Sequence, residues 1–303
     1  MSDSAPATTV VVVTWRGADH LAACLGGLAT QTRPHRTLVV DNASDDGTDR
    51  VLAEHPSRPD VLRLDVNTGY AGGIAAALPH VDTEFVAWLN DDAVPPPDWL
   101  AVLETALEPD PDAPGPTAAV TSRLVRPDGT VQSTGVVLTP DGHGADTTAE
   151  PTDTDTAPFG FCGGAALLRT QVLRDVGGVP AEFFCYYEDT DTSWRLRLAG
   201  WDVVSAPSSV HHLHGASTRP GSAAFHRWNE RNRLLMLLRC APAGVAVREL
   251  VRFAAITAVL PLRRTRPAAA NFDPRLRLGV LTAVARRLPG YTARAAWLPD
   301  GRR

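Results

Sequence analysis

The chain has 303 residues, enough for one large α/β domain or for one domain with an extension. All 29 basic residues are Arg, and the lack of Lys excludes a P-loop, whose phosphate-gripping side chain is a lysine. The net charge of −5 is uneven: residues 239–303 hold 13 Arg against three acids, a balance of +10, and the remainder stands at −15.

In chain order, Thr9–Thr14 (TVVVVT) is a β-branched run suited to a strand buried on both faces. Residues 18–30 follow with Leu21, Leu25 and Leu28 at helical spacing. TLVVD (37–41) is a second buried strand, ending in the turn-rich NASDDGT. A helix over 47–54, the strand VLRLD (61–65), the turn and helix of NTGYAGGIAAAL, and the strand EFVAWLN (84–90) come next. Such alternation predicts a mostly parallel sheet covered by helices. From residue 118, AAVTSRLV and VQSTGVVLT read as strands with hairpin-like connections, and 139–158 as a polar surface loop. FCGGAALLR (161–169) and DVVSA (202–206) are further strands, flanking a helix that opens with EDTD. Beyond Arg239 the chain reads as helical, with breaks at Pro242, Pro261, Pro267 and Pro274.

Cys24, Cys162, Cys185 and Cys240 are widely separated, which excludes a zinc ribbon or a disulfide framework. MSDSAPATT lacks the basic start of a secretory signal, and the uncharged run Phe253–Leu262 is too short to span a bilayer. The expectation is a cytoplasmic protein. Its basic tail suits a membrane surface or nucleic acid, or is simply a solvated helical face.

The candidate functional residues gather at strand ends, where open α/β sheets bind ligands. Thr14, Asp41, Asn42, Asn67, Asn90, Asp91 and Asp92 all fall there. Adjacent acids after a buried strand can hold a divalent cation that grips a diphosphate, although Asn and Asp are favoured in any turn. Gly69 opens the glycine-rich NTGYAGG, which lacks the G-x-G-x-x-G spacing of a dinucleotide site. His211, His212 and His214 follow a strand, and one of them could complete a metal site begun by Asp92. In EDTD, Asp191 is explained as a helix-start acid four residues before Arg195. Glu188 and Asp189 follow the aromatic run FFCYY, and a carboxylate near aromatic surface can act as a general base.

These pieces in this order resemble glycosyltransferase family 2, in its bacterial rhamnosyl- and galactofuranosyltransferase-like branch, across about residues 9–238. The carriers are VVVTWRGADHLAACLGGLATQT, VVDNASDDGT, WLNDDAVPPPDWL, FCGGAALLR, VGGVPAEFFCYYEDTDTSWRLRLAGW and APSSVHHLHGAS. The resemblance implies a GT-A fold over 1–238, with an Arg-rich helical extension over 239–303. It implies inverting transfer of a sugar from a UDP- or dTDP-linked donor to a glycan or lipid-linked hydroxyl, in cell-envelope polysaccharide synthesis. Asp189 matches the general base, with Glu188 beside it. Asp92 matches the metal-binding aspartate and His212 the metal-ligating histidine, with His214 the alternative, for Mg²⁺ or Mn²⁺. Thr14, Asp41 and Asn42 match nucleoside contacts, and Asn67, Gly69, Asn90 and Asp91 complete the expected donor site. Two departures stand out: TWR replaces the usual TYN after the first strand, and Ile74 replaces a usual Asn. The expected partners are the donor, the acceptor and, through the basic tail, the inner face of the plasma membrane, with no nucleic acid. Two other readings stay open, a sugar nucleotidyltransferase and a non-catalytic nucleotide- or carbohydrate-binding scaffold.

Overall fold

The computed structural model describes residues 5–109, 115–149, 157–213, 221–263, 265 and 267–294. The chain divides into two compact units: Met1–Val137 with Ala145–His214, and Leu138–Gly144 with Gly215–Arg303.

The first unit opens with β1 (Thr8–Thr14), α1 (Leu21–Ala29), β2 (His35–Asp41), α2 (Thr48–Glu54) and β3 (Asp60–Arg63). It continues through α3 (Gly69–Ala77), β4 (Phe85–Asn90), β5 (Ala93–Val94), α4 (Trp99–Ala106), β6 (Thr117–Val125) and β7 (Val131–Ser133). β8 (Val136–Leu138), in a segment read as strand, forms a hairpin with β9 (Gly144–Asp146), which lies where a polar surface loop was expected. Then come β10 (Ala165–Arg169), α5 (Thr170–Asp175), α6 (Glu188–Leu198) and β11 (Asp202–His212).

The main sheet runs β3-β2-β1-β4-β10-β6-β11-β5, with β7 on β6. It is parallel from β3 to β4. Beyond β4 it is mixed, because β10 enters antiparallel between β4 and β6. Successive side chains of a strand point to opposite faces. Val10 and Val12 therefore pack with Leu21, Leu25 and Trp99 on one side, and Val11 and Val13 with Ile74, Trp88 and Leu168 on the other. Cover on both faces is why the first strand is apolar at consecutive positions.

Register sets the site. Thr14 pairs with Asp41, and Val13 with Asn90, so three strands end level. The first strand has neighbours on both sides whose connections run opposite ways, which opens a crevice at their carboxyl ends.

The strand expected to stop at Ala206 runs on to His212. Pro207, which reads as a breaker, is exposed in an irregular stretch where the register against β6 shifts between Ser205 and Ser209. The strand then resumes, and His212 pairs with Ala93 one residue after Asp92.

The second unit holds α7 (Ala223–Cys240), α8 (Ala243–Val259) and α9 (Pro274–Arg294). The Ser222 hydroxyl caps α7 by accepting from the Phe225 amide at 3.2 Å. Proline opens α9 and precedes α8, as the breaks in the sequence suggested. Among the described residues, no helix is long and apolar enough to cross a membrane.

Candidate active site

The β1–α1 loop is fastened to the loop after β2. The Arg16 amide donates to Ser44 Oγ at 3.0 Å, Gly17 to Thr48 Oγ1 at 3.0 Å and Ala18 to Asp46 Oδ2 at 3.1 Å. The Arg16 guanidinium grips both oxygens of Asp45 at 2.7 and 2.9 Å and covers the Trp15 ring. Both side chains of the unusual TWR stretch are thus placed by contacts of their own. A Cβ on Gly17 would lie 2.2 Å from Thr14 Oγ1 and 2.8 Å from Asp91 Oδ2, so only glycine fits. Thr14 is buried, and its hydroxyl has no hydrogen-bond partner among the described residues. An orphaned buried hydroxyl at a strand end is suited to a ligand.

Asp41 is also buried. Its Oδ1 accepts from the Ser44 amide at 2.9 Å, and its Oδ2 pairs with Arg63. The Asn42 amide is fully engaged, accepting from Thr68 N at 2.8 Å and donating to Gly69 O at 2.9 Å. Asn67 Oδ1 accepts from Gly69 N at 2.8 Å. These contacts shape the turn that launches α3. Asn42, Asn67 and Gly69 therefore meet as a clasp, while Thr14 and Asp41 line the crevice.

The acids after β4 face two histidines. His212 Nε2 lies 3.0 Å from Asp92 Oδ1, and Asn90 Nδ2 lies 3.0 Å from the same nitrogen. On the other side of the ring, Nδ1 sits 2.9 Å from Gln132 Oε1. His20, at the start of α1, places Nε2 3.2 Å from Asp91 Oδ2. Contact with Asp91 raises the His20 pKa against the opposing effect of burial. Burial pushes Asp92 up, but His212 and the charge of His20 outweigh it and leave Asp92 below the ordinary carboxylate value. A cleft of about 280 Å³ opens here, lined by Asp19, His20, Asp92 and His212 among others. His214 lies outside the described residues.

The donor set fits a divalent cation. The Gln132 oxygen on Nδ1 suits a ring protonated at Nδ1, the tautomer in which Nε2 and the Asp92 carboxylate would both be available to a cation. Among the described residues no group of three or more His, Cys, Asp or Glu could hold a metal alone. Asp92 and His212 would supply two ligands, leaving the others to ligand oxygens and water.

A second group of carboxylates stands at the start of α6. Phe184, Tyr186 and Tyr187 carry positive φ angles of 66°, 72° and 69° just before it. Such angles are strained for bulky side chains and cluster at functional sites. The Phe184 carbonyl accepts from Ala71 N at 3.0 Å, tying this turn to α3. Glu188 is buried, and its Oε2 has no hydrogen-bond partner among the described residues. Burial and the neighbouring Asp189 charge push its pKa up to about 8. Asp189 Oδ2 accepts from the Gly163 amide at 3.0 Å, and Oδ1 from the Thr190 amide at 2.6 Å. Burial outweighs these bonds, so its pKa is also raised. Asp191 is different: it forms a buried ion pair with Arg195 at 2.8 Å.

Comparison with known proteins gives this geometry a family. The model of the family described as Glycosyl transferase family 2 matches residues 9–177. The chain belongs to glycosyl transferase family 2. It is 30% identical over 262 residues to the N-acetylglucosaminyl-diphospho-decaprenol L-rhamnosyltransferase of Mycobacterium tuberculosis, covering 75% of this chain and 83% of that protein. Solved structures share the GT-A fold. GalNAc-T7, crystallised with UDP, GalNAc and Mn²⁺, aligns with a TM-score of 0.64 and 12% identity, over 96% of this chain and 59% of that one. The mannosyltransferase PcManGT of Pyrobaculum calidifontis, in complex with GDP-Man and Mn²⁺, aligns with a TM-score of 0.54 and 20% identity, over 98% and 86%.

In this family 2 chain, several site residues escaped sequence reasoning. His20 contacts Asp91, Gln132 holds the His212 ring, and Arg63 pairs with Asp41. Gly163 gives its amide to Asp189 and takes the Tyr70 hydroxyl on its carbonyl at 2.6 Å. One signal was available: His20 stands at the start of a helix that follows a buried strand, where ligand-facing groups collect.

Proposed function

We propose that this family 2 glycosyltransferase is inverting and metal-dependent, moving a sugar from a UDP- or dTDP-linked donor to a hydroxyl of a lipid-linked or other glycan acceptor in cell-envelope synthesis. One observation carries this reading. Asp92 and His212 converge in one cleft with their ring and carboxylate atoms 3.0 Å apart, and Gln132 holds the far side of the ring. The acceptor class is taken from the mycobacterial relative, whose name specifies a decaprenyl-diphosphate-linked substrate.

Thr14 and Asp41 would bind the nucleoside at the ends of β1 and β2, with Asn42, Asn67 and Gly69 shaping the pocket wall and Asn90 and Asp91 supporting its floor. Asp92 and His212 would hold Mg²⁺ or Mn²⁺. The cation, once bound, supplies Lewis-acid stabilisation to the departing diphosphate. Asp189 takes the proton from the acceptor hydroxyl, and its raised pKa suits that role. The acceptor oxygen forms a bond to the anomeric carbon as the bond from that carbon to the diphosphate oxygen breaks. The electron pair leaves with the nucleoside diphosphate. Glu188, neutral below about pH 8, donates a hydrogen bond to the acceptor from beside the base.

The test is product analysis with a panel of UDP- and dTDP-sugars, Mn²⁺ and a polyprenyl-diphosphate-linked acceptor. Free nucleoside diphosphate with an inverted anomeric linkage by NMR is the expected result. Pyrophosphate release would instead indicate nucleotidyl transfer, and donor binding without turnover a scaffold.

A further inference from the structure

Helix α8 (Ala243–Val259) has an outer face at odds with its position. Ala246, Glu249, Phe253 and Thr257 recur at three- and four-residue steps and are buried, with Leu260 continuing the row. The single acid of α8 is thus turned inward, where Glu249 lies 3.5 Å from Arg233 and 3.1 Å from Arg248. A helix packed on one face normally shows polar residues on the other. Here the opposite row is Val247, Val251, Ala255, Val259 and Leu262, and it is open to solvent. Val247 is 57% exposed, Val251 61%, Val259 47% and Leu262 82%. Along one flank run Arg248 and Arg252, each more than half exposed, followed by the exposed Arg263. Arg248 pairs with Glu249 at 3.1 Å, and Arg252 with Asp141 and Glu249 at 3.6 Å each, while the apolar row itself carries no acid.

We propose that this face of α8 docks in the interfacial layer of a bilayer containing anionic lipids. Apolar side chains beside arginines, without a span-length apolar segment, describe a helix that lies on a membrane rather than crossing it. Charge favours the same occupant. Residues 239–303 carry +10 while the rest of the chain carries −15, so an anionic surface attracts this region alone. A second copy suits the face less well. The helix has 17 residues, about 25 Å, and one row of side chains buries a few hundred Å², well short of the roughly 800 Å² per partner of a stable interface. Two such faces would also bring like charges together. The surface deepens the proposed use of a lipid-linked acceptor, on which it rests, but its test requires no turnover.

The experiment is flotation of the full chain with phosphatidylcholine vesicles, with and without phosphatidylglycerol, at low and high salt. Wild type is expected to bind the anionic vesicles at least ~10-fold more tightly than the neutral ones, and to release at high salt. The triple variant Val247→Gln, Val251→Gln, Val259→Gln keeps charge and helix propensity and is expected to lose at least ~10-fold of that binding. Its thermal unfolding and its turnover of a soluble acceptor analogue are expected to match wild type, which separates this surface from the catalytic reading. Wild type that stays off anionic vesicles, or a triple variant that binds as well as wild type, overturns the proposal. So does a dimer in light scattering that the same three substitutions dissolve, since the occupant is then a second copy.

Discussion

His212 Nε2 sits 3.0 Å from Asp92 Oδ1 while Gln132 Oε1 holds the opposite ring nitrogen at 2.9 Å. Strands β4, β7 and β11 are far apart in sequence, and their convergence orients the imidazole before any ligand arrives. A partner on the distal nitrogen of a ligating histidine fixes its tautomer and typically matters ~10–100-fold for metal affinity. Gln132→Leu is therefore expected to weaken Mn²⁺ binding by about that factor, measured by calorimetry in the presence of nucleoside diphosphate. Turnover is expected to recover largely at saturating Mn²⁺. Unchanged Mn²⁺ affinity would show that the amide serves packing alone.

The two carboxylates at the start of α6 are expected to separate by function. Asp189→Asn keeps an oxygen for the Gly163 or Thr190 amide but removes the base, so kcat is expected to fall by roughly 10²–10⁴. Donor affinity, read by fluorescence or calorimetry, is expected to hold within about twofold, because the proposed donor contacts lie at the ends of β1, β2 and β4. Glu188→Gln preserves a neutral hydrogen-bond donor and is expected to retain far more activity. Equal losses in the two variants would remove the distinction between them.

The raised pKa of Glu188 makes a stability prediction whose sign is opposite to that of a salt-bridged acid. Its folded value of about 8 lies above its ordinary value of 4.5. Between those two pH values the folded state holds more protons at this site than the unfolded state, so stability falls as pH rises. Glu188→Gln cannot ionise and escapes the loss. The variant and wild type are expected to show similar thermal stability near pH 4, with the variant gaining progressively up to pH 8, by at most a few kcal/mol. Parallel stability profiles would mean that Glu188 is ionised in the folded protein.

What could be read in the sequence was what neighbouring residues encode together. The β-branched run of β1 and the acids at the ends of β2 and β4 gave the crevice, because a two-sided strand and its polar terminus are local signals. Pairing across the sheet was not legible. Gln132 lies in a strand of three residues, too short for periodicity. The resemblance had already matched His212 to the Asp92 site, but the way the chain brings them together, with β11 resuming after the irregularity between Ser205 and Ser209, carries no local signal. The positive φ angles at Phe184, Tyr186 and Tyr187 were equally hidden, since aromatic residues give no turn signal. The Phe184 main chain lies directly against Gly69, where the missing Cβ leaves room for it.

Gly69 links the donor-side turn to the acceptor-side carboxylates. Its φ is +74°, and a Cβ there would lie 2.1 Å from the Phe184 carbonyl oxygen, inside the strained turn that precedes Glu188 and Asp189. Gly69→Ala therefore combines backbone strain with a clash against main chain, which cannot rotate away. An expected destabilisation of about 2–4 kcal/mol, read by chemical denaturation, reflects both effects. Gly47→Ala is the matched control: its φ is +97°, with no atom of the described residues within 4 Å of the added carbon. That variant is expected to lose only about 1–2 kcal/mol from the backbone conformation and to keep its turnover. Gly69→Ala is expected to lose turnover beyond its stability loss, because the turn it displaces carries the proposed base. Equal behaviour of the two variants would mean that the Phe184 contact does not position Asp189.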